Sequence, residues 1–237
     1  MAAKTLVIVA TYNEIANLPE LVKRIRFAVP TAEILVVDDD SPDGTGAWAI
    51  EQSSMTDDLH VIVRTNEKGL GSATITGFRW GLERGYARIL TMDADFSHSP
   101  ESIPELLGAL PENGEPHVVI GSRYVADGRI VGWPMSRRLV SRCVNLLARF
   151  WLGLKTRDNT GAFRAYNAKA FQQIDLSDIR AEGYGYLEEI LYRFQQQGVR
   201  FSEVPIVFTD RQTGESKTSL WEGISVLKQI VELRFRV

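Results

Sequence analysis

The stretch Arg88-Ile-Leu-Thr-Met-Asp-Ala-Asp95 decides the fold, because it is an apolar run that ends in two carboxylates. A short apolar run bounded by polar residues is a buried strand. Similar runs stand before and after it: TLVIVA (5–10), EILVVDD (33–39), HVIVR (60–64) and HVVIG (117–121). Helical segments separate them. The first, over about 18–29, opens with Asn17, Pro19 and Glu20, and the second spans about 45–53 after the turn SPDGT (41–45). Two more cover about 70–84, ending near Gly85, and 100–110. Strands alternating with helices over 120 residues give an α/β fold with a mostly parallel, right-handedly wound central sheet flanked by helices.

After residue 121 the rhythm changes. The pattern predicts an amphipathic helix at 136–152, a loop through DNTGAF (158–163), a helix over 184–197 and a strand through 199–208. A last helix over 219–235 starts at the box Ser219-x-x-Glu222. With no repeat or low-complexity linker, residues 1–237 read as one domain with a nucleotide-type half (1–120) and an acceptor-type half (121–237).

Composition removes several classes of function. Hydrophobic residues at 44% and charged residues at 24% exclude a disordered or fibrous chain. The single cysteine, Cys143, excludes a disulfide framework and a multi-cysteine metal site. Apolar runs fall short of the ~18–20 residues that span a bilayer, and the apolar core of the opening MAAKTLVIVATYNE is too short for a secretion signal. The expectation is a cytoplasmic protein, soluble or peripheral at a membrane.

The net charge of −3 conceals segregation: residues 1–120 carry −9, residues 121–157 carry +7 and residues 158–237 carry −1. A basic stretch inside an acidic chain points to an anionic partner, with a solvated helix face as the plain alternative. Nucleic acid fits poorly, because the sheet half is acidic and the basic stretch is interleaved with aliphatic residues.

In an open parallel sheet the ligand crevice lies beyond the carboxyl ends of the strands. Three carboxylate-bearing segments fall there: Thr11–Glu14, Asp38–Asp40 and Asp93/Asp95. Singly each reads as a turn-favouring strand exit; three at one edge point to a site. Asp93 and Asp95 repel one another unless a cation or proton intervenes, and a hard divalent ion sharing its shell with phosphates suits such a pair. The histidines His60, His98 and His117 are scattered. Gly69-Leu70-Gly71 opens a helix but lacks the third glycine of a dinucleotide fingerprint and the Gly-Lys-Ser/Thr of a P-loop. Residue chemistry alone reaches a metal-dependent enzyme acting on a phosphate-containing nucleotide.

The motifs Ala10-Thr-Tyr-Asn-Glu14, Asp38-Asp-Asp-Ser-Pro-Asp-Gly-Thr45, Gly69-Leu-Gly71 and Asp93-Ala-Asp-Phe-Ser-His98 occur in that order. Gly121-Ser-Arg-Tyr124, Asp158-Asn-Thr-Gly161 with Phe163-Arg164, and Asp210-Arg-x-x-Gly-Glu-Ser-Lys217 follow them. The ordered set resembles family 2 glycosyltransferases of the dolichyl-phosphate mannose synthase branch, over about residues 5–222. The resemblance implies a Rossmann-like GT-A fold with C-terminal acceptor-side helices. It also implies a GDP-mannose donor and a dolichyl or other polyprenyl phosphate acceptor. Tyr12 and Glu14 would hold the nucleoside end and Asp39 or Asp40 the base or ribose, with Gly69 a further substrate-binding candidate. Asp93 and Asp95 would carry Mg2+ or Mn2+, with Ser97 at a third ligand position where some members have glutamine. Ala10 stands where the family usually has proline.

A lipid monophosphate, with a second pKa near ~6, is already largely a dianion at neutral pH and needs no general base. Positioning it calls for arginines, whose planar fork grips phosphate at two points. Arg123, Arg137 and Ser141 are the acceptor candidates. Arg211 and Lys217 would close over the donor phosphates or metal, and Glu189 would pair with an acceptor-side arginine. In the 136–152 helix, Leu139, Cys143, Leu146, Phe150 and Leu154 form an apolar stripe beside Arg138, Arg142, Asn145 and Arg149. Either this helix or the last one (Leu220, Trp221, Ile224, Leu227, Val231) would dock on a membrane surface, with core packing as the alternative. A separate membrane-anchoring subunit is a possible partner. Two other readings remain: a UDP-glucose transferase acting on a polyprenyl phosphate or a saccharide hydroxyl, and a non-catalytic nucleotide-sugar-binding module.

Overall fold

The computed structural model describes residues 3–181, 183–210 and 220–236. Its centre is a seven-stranded sheet in the order β3-β2-β1-β4-β7-β5-β8. The strands are β1 (Thr5–Thr11), β2 (Ala32–Asp38), β3 (Leu59–Val63), β4 (Arg88–Asp93), β5 (His117–Ser122), β7 (Arg164–Asn167) and β8 (Arg200–Pro205). A separate ribbon pairs β6 (Arg129–Val131) with β9 (Val207–Thr209) in parallel.

The crossover helices are α1 (Leu18–Ala28), α2 (Thr45–Ser53), α3 (Leu70–Glu83) and the short α4 (Ile103–Gly108). The second half adds α5 (Met135–Trp151), α6 (Tyr186–Gln196) and α7 (Leu220–Arg236). Alternating side chains of β1 divide the core. Val7 and Val9 join a cluster with Leu21 and Ile25 of α1, while Leu6 and Ile8 join one with Phe78 of α3 and Ile190 of α6. Gly77 lets α3 lie close to the sheet: a Cβ there would stand 2.7 Å from Ile8 Cγ2.

The parallel α/β expectation holds, and the structure corrects four local readings. The four-residue β7 lies antiparallel between β4 and β5, where no strand was expected. The strand expected over 199–208 breaks after Pro205, which has no N–H to continue the ladder, and resumes as β9 in the ribbon. The helix expected at 100–110 is a 3-10 turn at Pro100–Ser102 followed by α4. Asn17 does not cap α1 with its side chain; its Nδ2 donates to Glu14 Oε2 at 2.8 Å instead. Ser219 lies outside the described residues.

Candidate active site

Sheet register assembles the site. Thr11 pairs with Asp38 across β1–β2, and Ala10 pairs with Asp93 across β1–β4, so the three carboxylate segments leave the sheet side by side. Chain direction of the crossovers reverses between β1 and β4, which is the switch point where such sheets bind ligands.

The octapeptide at 38–45 clasps the loop after β1. Buried Asp38 accepts from Thr11 Oγ1 at 2.8 Å and from the Ser41 N–H at 2.9 Å. Main-chain N–H groups of Asn13, Glu14 and Ile15 donate to Ser41, Thr45 and Asp43 at 3.0, 2.9 and 3.1 Å. Asp39 is gripped by Arg64, whose Nε lies 2.8 Å away, and accepts the Gly69 N–H at 2.6 Å. Gly69 therefore spends its amide on Asp39. Three residues just past the strand ends adopt left-handed φ: Asn13 (62°), Asp40 (53°) and Phe96 (60°). Asn and Asp tolerate this; a phenylalanine there is strained, and it sits between Asp95 and Ser97.

Two cavities meet at the tip of β4. One, of about 1250 Å³, is lined by Tyr12, Glu14, Asp39, Lys68, Gly69, Asp93 and Asp95. The Lys68 ammonium lies 5.0 Å from the centre of the Tyr12 ring, whose face is a stacking surface at the cavity wall. The other cavity, of about 850 Å³, takes in Asp93, Asp95, Ser97, Arg123, Arg137, Ser141 and Glu188, with Trp133 and Phe208 as aromatic walls. Asp93, Asp95 and Tyr184 belong to both.

Asp93 and Asp95 are held in place. The Asp95 carboxylate accepts the Ser97 N–H at 3.0 Å, and His98 Nδ1 lies 3.4 Å from the Asp93 amide nitrogen. His98 stacks on Phe163 at 5.1 Å, and burial drives its pKa down to about 4, so the ring is neutral at pH 7 and serves as an acceptor. Among the described residues no group of three or more His, Cys, Asp or Glu side chains forms a complete metal cage. Two carboxylates opening onto both cavities still suit a cation of the magnesium kind, which keeps water and phosphate in its shell.

Most of the expected residues come together. Tyr12, Glu14, Asp39, Gly69, Asp93 and Asp95 share the first cavity, and Ser97, Arg123, Arg137 and Ser141 share the second with the aspartate pair. Asp40 is exposed and lines neither. Arg211 and Lys217 lie outside the described residues. Arg137 is held by Asp210 Oδ1 at 2.9 Å and packs 4.1 Å from the Trp133 ring centre. The Ser141 hydroxyl accepts from Tyr124 OH at 2.8 Å.

Glu189 departs from expectation. It accepts from the Arg180 and Ala181 N–H groups at 3.1 and 2.7 Å and pairs with Arg193, its neighbour one turn along α6, rather than with an acceptor-side arginine. Its neighbour Glu188 lines the second cavity instead. Sequence reading also passed over Trp133 and Tyr184 as wall residues, although their aromatic rings beside Arg137 and the Gly-rich 183–185 turn were visible signals.

The apolar stripe of α5 faces outward. Leu139, Leu146 and Phe150 are exposed, by 87% for Phe150, as is Cys143, whereas Val144, Asn145 and Ala148 pack inward and Leu154 is buried. Arg138 is used locally, donating to the carbonyls of Trp133 and Ile130 at 3.2 and 2.9 Å. The Trp151 ring packs against Phe235 of α7, centroids 6.2 Å apart. Among the described residues no helix is long and apolar enough to cross a membrane.

This sheet, with carboxylates at its switch point, is the GT-A glycosyltransferase fold. Glucosyl-3-phosphoglycerate synthase from Mycobacterium tuberculosis, solved with phosphoglyceric acid, superposes with a TM-score of 0.69 over 99% of this chain and 80% of its own, at 19% identity. The same synthase with Mn2+, UDP and phosphoglyceric acid gives 0.68 at 18% identity, covering 99% and 78%.

Residues 6–175 match glycosyl transferase family 2, and the chain belongs to that family. It is 48% identical to an undecaprenyl-phosphate mannosyltransferase of Micrococcus luteus, over 91% of this chain and 88% of the relative. A polyprenol monophosphomannose synthase of Mycolicibacterium smegmatis is 45% identical over 91% and 81%. A dolichol-phosphate mannosyltransferase of Pyrococcus furiosus is 41% identical over 90% of this chain, which spans 59% of that longer protein.

Proposed function

We propose that this chain transfers mannose from GDP-mannose to a polyprenyl phosphate of the dolichyl type, inverting the anomeric carbon. The observation that carries the reading is the shared wall: one cavity with Tyr12 and Lys68 for a nucleotide and one with Arg123 and Arg137 for an anion meet at Asp93 and Asp95. The names of the relatives supply mannose and the lipid phosphate.

In this reading Tyr12, Glu14 and Asp39 hold the nucleoside, with Asp40 at the rim and Gly69 setting the turn beside the diphosphate. Asp93 and Asp95, with Ser97 beside them, would hold Mg2+ or Mn2+, which supplies Lewis-acid stabilisation of the departing diphosphate. Arg137 and Ser141 orient the acceptor phosphate against the sugar, and Arg123 adds a fixed positive wall. Arg211 and Lys217 belong to the donor side. A phosphate dianion attacks without a base, so rate follows from positioning.

The acceptor's chain has an exit at α5, whose inner face carries Arg137 and Ser141 to the cavity and whose outer face exposes Leu146 and Phe150 beside Arg142 and Arg149. A basic-aromatic helix face of this kind rests in an anionic membrane interface. Peripheral attachment to a cytoplasmic leaflet follows, alone or beside an anchoring subunit.

The test is product formation. Purified protein with Mg2+, GDP-mannose and a polyprenyl phosphate should release GDP and give an acid-labile mannosyl lipid. Release of UDP from UDP-glucose, or transfer to a saccharide, would replace the proposed substrates; no release from any pairing would favour a binding module.

A further inference from the structure

We infer that Glu188 is a further acceptor-contacting residue, its carboxyl group donating a hydrogen bond to the phosphate headgroup. This rests on the lipid-phosphate reading and adds a residue to it.

Glu188 is 1% exposed on the first turn of α6 and lines the cavity that holds Arg123, Arg137 and Ser141. Its Oε2 has no hydrogen-bond partner among the described residues, and no ion pair reaches it there. The contrast with its surroundings is sharp: Asp158 is satisfied by Arg123, and Glu189 by Arg193 and two main-chain N–H groups. A buried polar atom left unpaired is costly, and native proteins keep few of them. Trp133, on the same cavity wall, likewise has an indole N–H without a partner. Two unspent polar groups, on residues that line a cavity with Arg123 and Arg137, point to an anion as what completes it.

The protonation state decides the sign of the contact. An ionised carboxylate would repel a phosphate dianion, whereas the acid donates to it. Burial pushes Glu188 up to about 8, with Arg164 and Arg123 opposing the shift and Asp158 adding to it. Asp93, Asp95 and Arg137 share its cavity, and Glu189 and Arg236 share the smaller crevice on its other side. At pH 7 the proton is therefore kept, and it remains on Glu188 throughout; no bond is broken. His98 at about 4 and Tyr124, raised above its ordinary phenol range by burial, do not titrate between pH 7 and 9.

The experiment is calorimetric binding of farnesyl phosphate, a dianion across this range, to the full chain with Mg2+ present, at pH 7 to 9. Wild type should weaken about tenfold in all between pH 7 and pH 9, most of it above pH 8. Glu188→Gln, a permanent neutral donor, should hold its pH 7 affinity to pH 9, and Glu188→Ala should bind more weakly throughout. A flat wild-type profile, or parallel profiles for wild type and Glu188→Gln, would overturn the inference while leaving the lipid-phosphate reading intact. Absence of binding by every variant would overturn both.

Discussion

Asp158 holds Arg123 through three contacts: guanidinium Nε at 2.7 Å, Nη2 at 2.6 Å and the arginine's own main-chain N–H at 2.9 Å. Both side chains are buried. Burial works against both charges, but the pairing outweighs it: the arginine is held above its ordinary pKa and the aspartate below its own. The arginine at the cavity wall is thus fixed in place before any ligand arrives.

Asp158→Asn should destabilise the fold by about 3–5 kcal/mol, because it strands a buried cation. At this chain length that lowers Tm by at least ~6 °C, read by thermal unfolding. The contribution belongs to a depressed carboxylate, so it is complete above the unfolded value near ~3.9 and fades as pH falls below that. An unchanged Tm would refute the structural role assigned to this pair.

Arg137→Lys keeps the charge and removes the planar fork stacked on Trp133. The KM for polyprenyl phosphate should rise about 10- to 100-fold with the donor KM unmoved. A rise in donor KM instead would move Arg137 to the other cavity.

Asp95→Asn should cut turnover by more than about 10²-fold and weaken the response to added Mg2+ or Mn2+. Nucleotide binding by calorimetry without metal should change little. Full turnover in this variant would remove the aspartate pair from the chemistry.

Gly77→Ala presses a methyl group into Ile8. Overpacking of this kind costs about 1–3 kcal/mol, a fall of several degrees in Tm. Because α3 begins at the cavity proposed for the donor, the donor KM should rise with it.

Replacing Leu146 and Phe150 by serine should leave Tm within about 1 °C, since both are exposed. Co-sedimentation with anionic liposomes should fall severalfold while transfer to a detergent-dispersed acceptor persists. Equal sedimentation of both proteins would free α5 from the membrane role.

The parallel core was legible because its strands are apolar runs bounded by polar turns, whereas its crossover helices start without side-chain caps. β7 escaped notice for a physical reason: Arg164, fully buried, donates to the carbonyls of Leu187 and Asn159 at 2.8 and 2.7 Å, and a charged residue in a four-residue strand gives no periodic signal. The carboxylate pair at 93 and 95 was legible because a strand end points its exit residues at the crevice. Glu188 and Glu189 were not separable. Neighbours on a helix point about 100° apart, and only the packing of α6 decides which one meets the cavity.

The place of β5 in the sheet bears on how the protein is made. Its hydrogen-bonded neighbours, β7 and β8, both come later in the chain. When a ribosome has released residues up to Ser122, β1 to β4 can zip together, but the fifth strand has no edge to join. About 45 more residues must emerge before β7 arrives at Asn167, a wait of several seconds at roughly 5–20 residues per second. Through that interval Val118-Val-Ile120 is an unpaired run of β-branched apolar residues, the kind of segment that favours aggregation while it is exposed.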